Sequence, residues 1–115
     1  MTITERMAGP ATVLQLGGRL VLDDGEQLLK ATVLGLLGQG VRHLVLDVAA
    51  LAYVDSAGLG ALVHVVLAAK KQGGAVRLVH PSAHLAALLR TARLLSVITV
   101  CEDEAQALGS FGAPA

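Results

Sequence analysis

The sequence predicts a small α/β domain with a mostly parallel sheet, an N-terminal hairpin and about four helices. After two strand-like segments at the start, short apolar runs alternate with amphipathic stretches, which is typical of parallel strands joined by helical crossovers. The run at residues 44–48 is apolar on both faces, as expected of a strand in the middle of such a sheet. A length of 115 residues suits one ordinary domain, so we expect residues 1–115 to form a single domain.

Turn residues and apolar spacing place the first elements. A Gly-Pro pair separates strand-like runs at residues 3–7 and 12–16, and the Gly-Gly pair at 17–18 should end the second strand. A loop at residues 19–24 then leads to a helix that opens with Asp-Gly-Glu and ends before Gly38. The side chains expected on its buried stripe are Leu28, Leu29, Val33, Leu36 and Leu37.

A second helix is expected from Ser56 to Lys71, after the central strand and a connector at residues 49–55. Apolar spacing assigns one face of this helix to the core and leaves the other small and smooth. The buried stripe is expected to contain Leu59, Leu62, Val63, Val66 and Leu67. The outward face is expected to carry Ala57, Ala61, His64 and Ala68.

The remaining sequence continues the alternation of strands and helices. Strands are expected at residues 76–80 and 97–100, and a third helix starts at Pro81–Ser82. Three carboxylates at residues 102–104 should lie in the first turn of a last helix, where the helix dipole favours them. The inward side chains of the third helix are expected to be Leu85, Leu88, Leu89 and Ala92.

Composition excludes several classes of function. The net charge is zero and aromatic residues make up 2% of the chain, so neither a basic field nor a base-stacking surface favours direct nucleic-acid binding. The most apolar run, residues 57–69, is shorter than the ~20 residues that span a bilayer, so no membrane insertion is expected. A single cysteine, Cys101, and a start that lacks the features of a signal peptide indicate a cytoplasmic protein.

The most informative segment is residues 53–60, which joins the central strand to the second helix. In open α/β sheets, sites gather in the loops that follow the carboxyl ends of strands. Asp55 or Ser56 could serve only as the helix cap. Gly58 and Gly60, however, each cost the helix ~1 kcal/mol relative to alanine. Such a cost is expected where a partner approaches the backbone closely, so we interpret this segment as a docking site.

The chain resembles STAS domains, in particular the bacterial anti-anti-sigma factors, which are also called anti-sigma factor antagonists. The resemblance extends over nearly the whole chain and is strongest at residues 55–60, with the sequence Asp-Ser-Ala-Gly-Leu-Gly. Many members carry an acidic residue directly after a Gly-x-Leu element, here at residues 18–20, whereas this chain has Val21. Further matching segments are Leu46-Asp47, Gly73-Gly74 and Leu94-Leu95.

This resemblance implies a phosphorylation switch at Ser56. In the family, the matching serine is phosphorylated by a partner that is both an anti-sigma factor and a serine kinase. The unphosphorylated form binds that partner, which releases its sigma factor, and a PP2C-type phosphatase resets the phosphorylated form. The residues expected to contact the partner are Asp23, Asp24, Asp55, Ser56, Ala57, Gly58, Leu59, Ala61 and His64.

Catalytic and cofactor sites are not predicted. Ser56 lacks the Gly-x-Ser-x-Gly elbow of serine hydrolases, and the glycines after it match neither a Walker loop nor a dinucleotide loop. His80 and His84 are four residues apart, but no Cys or Glu completes a metal set at the usual spacing. Asp47 is expected to be structural, and we expect it to help hold the turn at Ser56.

We therefore expect a protein that is not an enzyme and has no cofactor. The alternative is a STAS docking subunit of a transport or signalling complex that works without phosphorylation.

Overall fold

A computed structural model describes residues 1–111 of the chain. Within these residues, four helices and a five-stranded mixed sheet form a small α/β domain, which confirms the predicted fold class. Apart from the second and third strands, element boundaries lie within a residue or two of the expected positions. The elements are β1 (Thr2–Ala8), β2 (Ala11–Leu20), α1 (Glu26–Gly38), β3 (His43–Val54), α2 (Ser56–Lys71), β4 (Ala75–Val79), α3 (Ala83–Thr91), β5 (Thr99–Cys101) and α4 (Glu104–Phe111).

The strands lie side by side in chain order, from β1 to β5. β1 and β2 form the antiparallel hairpin, and its turn contains Gly9 in the left-handed conformation. β2, β3, β4 and β5 are parallel to one another, so the carboxyl ends of β2, β3 and β4 meet at the edge of the sheet where α1, α2 and α3 begin. The predicted docking segment therefore lies at this edge.

The central strand β3 supplies apolar side chains to two separate cores. Leu44 and Leu46 lie in the main core between the sheet and the α1 and α2 helices. Val45 faces the opposite side, in a smaller core closed by Ala107 of α4. Both faces of this part of β3 are covered, which explains its continuous apolar sequence.

The expected end of the second strand and the expected connector before Ser56 are both wrong. β2 continues through Gly17 and Gly18 to Leu20, and residues 49–54 belong to β3, because these two segments pair with each other. The register shifts at the glycines, which is how a strand absorbs extra residues and bends. As a result, Leu20 is aligned with Val54 directly before α2.

The buried face of α2 differs from the predicted face by a rotation of about one residue. Ala61 is fully buried, so its placement on the outward face is wrong, whereas Leu67 is 51% exposed. Small side chains point inward near the start of the helix because it packs very close to the sheet there, whereas Leu59 and Leu67 lie at its margin. The buried residues are Gly58, Ala61, Leu62, Val65, Val66 and Ala69. Leu28 and Ala92 are also exposed rather than inward.

The last helix begins later than expected. α4 starts at Glu104, and it is the only one of the three carboxylates in the first turn. Asp103 instead caps the helix, because its Oδ1 accepts a hydrogen bond from the Gln106 amide at 2.8 Å. The Gln106 side chain accepts in turn from the Glu102 amide, which ties the residue before the cap to the first turn of α4.

The two glycines in the first half of α2 should respond in opposite ways to alanine. A Cβ atom at Gly58 would lie 2.0 Å from the Leu20 carbonyl oxygen, whereas one at Gly60 would meet nothing within 4 Å. We expect Gly58→Ala to lower the free energy of unfolding by about 2 kcal/mol or more. Gly60→Ala should raise it by about 1 kcal/mol, since alanine is the better helix former. Urea unfolding of the two variants measures both effects, and equal shifts would contradict the close approach.

Candidate functional site

The Asp55 carboxylate joins the start of α2 to the turn that follows β2. Asp55 is the N-cap of the helix, and its Oδ1 accepts a hydrogen bond from the Gly58 amide at 2.8 Å. Its Oδ2 accepts from the Leu22 amide at 3.1 Å. One side chain therefore fixes two neighbouring segments of this edge of the sheet.

The turn at residues 21–24 carries both acids that were predicted near the site. It is closed by hydrogen bonds between the main chains of Val21 and Asp24, at 2.9 and 3.0 Å. Asp23 has a positive φ of 62° and an exposed side chain at the tip. The Asp24 carboxylate accepts a hydrogen bond from the amino group of Met1 at 3.0 Å. Because the Leu22 amide is hydrogen-bonded to the Asp55 carboxylate, the turn at residues 21–24 is held against the start of α2.

These hydrogen bonds also determine the charge at the site. The Gly58 amide, followed by the Leu22 amide, lowers the pKa of Asp55 below its ordinary value, because both donors favour the carboxylate over the carboxylic acid. Asp55 is therefore anionic at neutral pH.

Ser56 is the first residue of α2 and is exposed. Since Asp55 supplies the cap, the Ser56 hydroxyl is not needed for it, and within residues 1–111 this hydroxyl has no hydrogen-bond partner. Because the side chain is exposed, this hydroxyl is accessible to a reagent or enzyme from solution. Asp55 therefore stabilises the start of the helix, and the Ser56 hydroxyl takes no part in the cap.

An open groove of about 440 Å³ begins at Ser56 and passes between α2 and α3. Its apolar surface comes from half-buried leucines of the two helices and from Tyr53, which is 50% exposed. The Tyr53 ring faces the His84 ring, with 6.5 Å between centroids. The residues that line the groove are Tyr53, Val54, Asp55, Ser56, Leu59, His84 and Leu88.

The expected contact residues separate into accessible and inaccessible ones. Ala57 and Leu59 are half-buried and His64 is exposed, so their side chains are accessible at the surface of α2. Gly58 and Ala61 are buried, so the proposed direct contact of these two residues with a partner is wrong. Gly58 is a glycine because Leu20 of the same chain approaches it closely.

Three residues around Ser56 were not predicted from the sequence. Leu22 is 60% exposed at the tip of the turn, and His84 and Leu88 line the groove together with Tyr53, which the predicted docking segment included. The spacing of His84 and Leu88 on one helix face is visible in the sequence. That this face lies beside Ser56 follows only from the order of the strands.

The Asp47 carboxylate lies apart from the Ser56 turn. Its Oδ1 accepts a hydrogen bond from the Ala49 amide at 3.1 Å and lies 3.3 Å from Nδ1 of His80. The expectation that Asp47 helps to hold the turn at Ser56 is therefore wrong, since Asp55 does so. Within residues 1–111, no group of three or more His, Cys, Asp or Glu side chains is arranged to hold a metal ion. The same residues include no helix long and apolar enough to cross a membrane.

Comparisons with known proteins agree with this architecture. A family model described as "Mlab, STAS domain" matches residues 3–99. No curated protein sequence matches the chain.

Several solved structures share the fold at low sequence identity. Thermotoga maritima TM1081, provisionally described as an anti-sigma factor antagonist, has a TM-score of 0.88 and 19% identity over 96% of this chain and 95% of that chain. The anti-sigma factor antagonist SpoIIAA from Bacillus, in its unphosphorylated form, has a TM-score of 0.72 and 19% identity over 95% of this chain and 96% of that chain. A part of the murine anion transporter Slc26a9 also matches, with a TM-score of 0.76 and 17% identity over 91% of this chain and 18% of that chain.

The lowered pKa of Asp55 predicts how stability depends on pH. A carboxylate whose pKa is lower in the folded chain stabilises the fold above its unfolded pKa, about 3.9, and loses that contribution as the pH falls through the folded value. We expect Asp55→Asn to lower the Tm at neutral pH, and the gap to wild type to close below about pH 4. Thermal unfolding over a pH series measures the gap.

Asp23→Asn is the matched control for this experiment. Asp23 lies in the turn to which Asp55 is hydrogen-bonded, is exposed and has a backbone conformation that asparagine tolerates, so the Tm should keep its wild-type pH dependence. A gap for Asp55→Asn that stays constant into strong acid would contradict a stabilising charge at Asp55.

Proposed function

Because the chain belongs to the STAS domain family, we propose that it is an anti-sigma factor antagonist that binds a kinase-type anti-sigma factor and is switched off by phosphorylation of Ser56. The observation that carries this proposal is the free, exposed hydroxyl of Ser56 at the rim of an apolar groove. The similarity in fold to SpoIIAA, which is known in unphosphorylated and phosphorylated forms, supports it.

The surface around Ser56 suits a partner in the unphosphorylated state. Leu22, Tyr53 and Leu59 surround a small neutral side chain, so a partner can cover apolar surface without leaving a charge unpaired. The carboxylates of Asp55 and Asp23 at one side of this surface favour a basic group on the partner.

A phosphate on Ser56 would change this surface through charge and size. It adds about −1.5 to −2 charge at pH 7, next to a carboxylate that is already anionic. A partner that packs on this spot would then bury unpaired charge and lose apolar contact. The fold itself should tolerate the group, since Ser56 is exposed and a helix N-terminus accommodates anions.

In this proposal the chain is the substrate of the chemistry and not its catalyst. The kinase-type anti-sigma factor supplies the nucleotide and transfers the phosphate, and a PP2C-type phosphatase removes it. The protein acts in the cytoplasm, where the transcription machinery is located. Binding of the unphosphorylated form frees the sigma factor, which makes the chain a regulator of transcription.

A second candidate function is that of a docking subunit of a transport complex, without phosphorylation. The similarity to a part of Slc26a9 favours it, as does the turn after β2, where Val21 and Leu22 stand in place of an early acid. In that case the partner would stay bound in the groove, and Ser56 would remain unmodified.

Phosphorylation of Ser56 is tested by intact-mass spectrometry. The purified protein is incubated with ATP and, one at a time, with the kinase-type anti-sigma factors of the same cell. We expect a single added phosphate with the cognate kinase and none on Ser56→Ala, which should keep the wild-type Tm because Asp55 caps the helix. A phosphate on Ser56→Ala would refute the site, and no phosphate with any of these kinases would favour the docking subunit.

The effect of the charge on binding is tested with Ser56→Glu. We expect the Kd for the anti-sigma factor to rise by roughly 100-fold, which corresponds to a loss of about 3 kcal/mol. Ser96→Glu is the control, since it adds the same charge at an exposed position away from α2's first turn and should leave the Kd unchanged. Calorimetric titration measures both variants, and equal affinities for wild type and Ser56→Glu would contradict the switch.

A further inference from the structure

The charges of this chain are separated along its sequence although they sum to zero. No Asp or Glu occurs between Asp55 and Glu102, whereas this stretch contains Lys70, Lys71, Arg77, Arg90 and Arg93. Arg77 is bound internally, because its Nε donates to the Ser110 hydroxyl at 2.8 Å and its guanidinium lies over the Phe111 ring. The other four cations are exposed.

These four residues lie at one end of the molecule, which we call the basic pole. Lys70 and Lys71 form the last turn of α2, Arg90 is in the last turn of α3, and Arg93 follows that helix. Both helices end where the parallel strands begin, so the basic pole lies opposite the edge that carries Ser56. The 16-residue length of α2 places the two ends about 22 Å apart.

The basic pole also presents apolar side chains and a cleft. Leu67 and Leu95 are 51% and 50% exposed beside the cations. A cleft of about 300 Å³ lies between the end of α2 and the segment before β5. Lys70, Ser96 and Thr99 contribute to its lining, together with Val66, Val76 and Val97.

Helix stability accounts for only part of this arrangement. A cation in the last turn of a helix is favoured by the dipole, which explains a basic residue at the end of α2 and of α3. It does not explain Arg93, which lies outside the helix, or the exposed leucines. Among residues 1–111, none of the four cations forms an ion pair. The surface therefore retains its full charge for an external anion.

We propose that the basic pole binds the phosphate headgroups of an anionic lipid bilayer. Clustered Lys and Arg side chains with apolar neighbours are the combination that favours attachment to such a surface. The cations pair with phosphates, Leu67 and Leu95 contact the interfacial region, and the cleft at Lys70 accepts a headgroup. This is attachment to the surface and not insertion, and it leaves Ser56 at the far end of α2, facing the solution.

Co-sedimentation with vesicles tests this proposal without involving Ser56 or any partner protein. Wild-type protein should sediment with vesicles of equal parts phosphatidylcholine and phosphatidylglycerol but not with phosphatidylcholine alone, and added NaCl should release it. Lys70→Gln/Lys71→Gln should weaken partitioning about 30-fold, since each basic residue contributes about 1 kcal/mol and 1.4 kcal/mol corresponds to tenfold. Unchanged partitioning of this variant would overturn the proposal.

Three further measurements separate the outcomes. Arg19→Gln removes an exposed cation from the opposite end of the molecule and should leave partitioning unchanged. Thermal unfolding checks that Lys70→Gln/Lys71→Gln remains folded. Leu95→Ser should weaken attachment because it removes an apolar contact while all charges stay intact.

Equal sedimentation with both kinds of vesicle would overturn the proposal. Binding to soluble polyglutamate without binding to acidic vesicles would also overturn it and would assign the pole to an acidic protein.

Discussion

The close approach of the start of α2 to the end of β2 is the constraint on which the geometry around Ser56 depends. The Leu20 carbonyl lies where a Cβ atom of residue 58 would be, and it also accepts a hydrogen bond from the Asp55 amide at 3.3 Å. Only glycine permits this distance. It brings the Asp55 carboxylate within reach of the Leu22 amide, so the turn at residues 21–24 becomes part of the helix start. The position of Ser56 relative to Leu22 and Asp23 follows from this packing.

Capping and the proposed modification fall on adjacent residues at this edge. Asp55 supplies the hydrogen bond that a helix N-terminus requires, and its hydrogen bonds keep it ionised. Ser56 is therefore not needed for the cap, and it is exposed at the rim of a groove. A phosphate can therefore alter the partner surface with little effect on the fold, which a switch requires, because only the binding equilibrium should change. Had Ser56 been the cap, modification would have removed a helix-stabilising hydrogen bond at the same time.

The net charge is zero, but acidic and basic side chains are separated between the two ends of α2. Asp23 and Asp55 lie around the first turn of α2, and Lys70 and Lys71 lie in the last, so each end carries the sign that the helix dipole favours. The proposed protein partner and the proposed lipid surface would thus meet opposite ends of the molecule. Because the two surfaces are separate, occupation of one leaves the other accessible. A chain held at a membrane by its basic pole would still present Ser56 to a soluble kinase.

The sequence by itself determined the α/β class, the order of the elements and the helix that begins at Ser56. Those features depend on local rules, such as apolar periodicity, turn glycines and an Asp-Ser pair before an apolar stretch. The apolar run at residues 44–48 also identified the central strand, since burial on both faces leaves a direct trace in composition.

Only the tertiary structure decided which face of α2 is buried, how far β2 and β3 extend, and which residues surround Ser56. Gly17 and Gly18 indicate a strand end locally, yet pairing with β3 satisfies their backbone groups and continues the strand. Large leucines suggest the buried face, yet close packing selects Gly58 and Ala61. Tyr53 of β3 and Leu88 of α3 line the same groove because β3 and β4 are neighbours and α3 follows β4. In each case the deciding interaction joins segments distant in sequence, where local patterns carry no information.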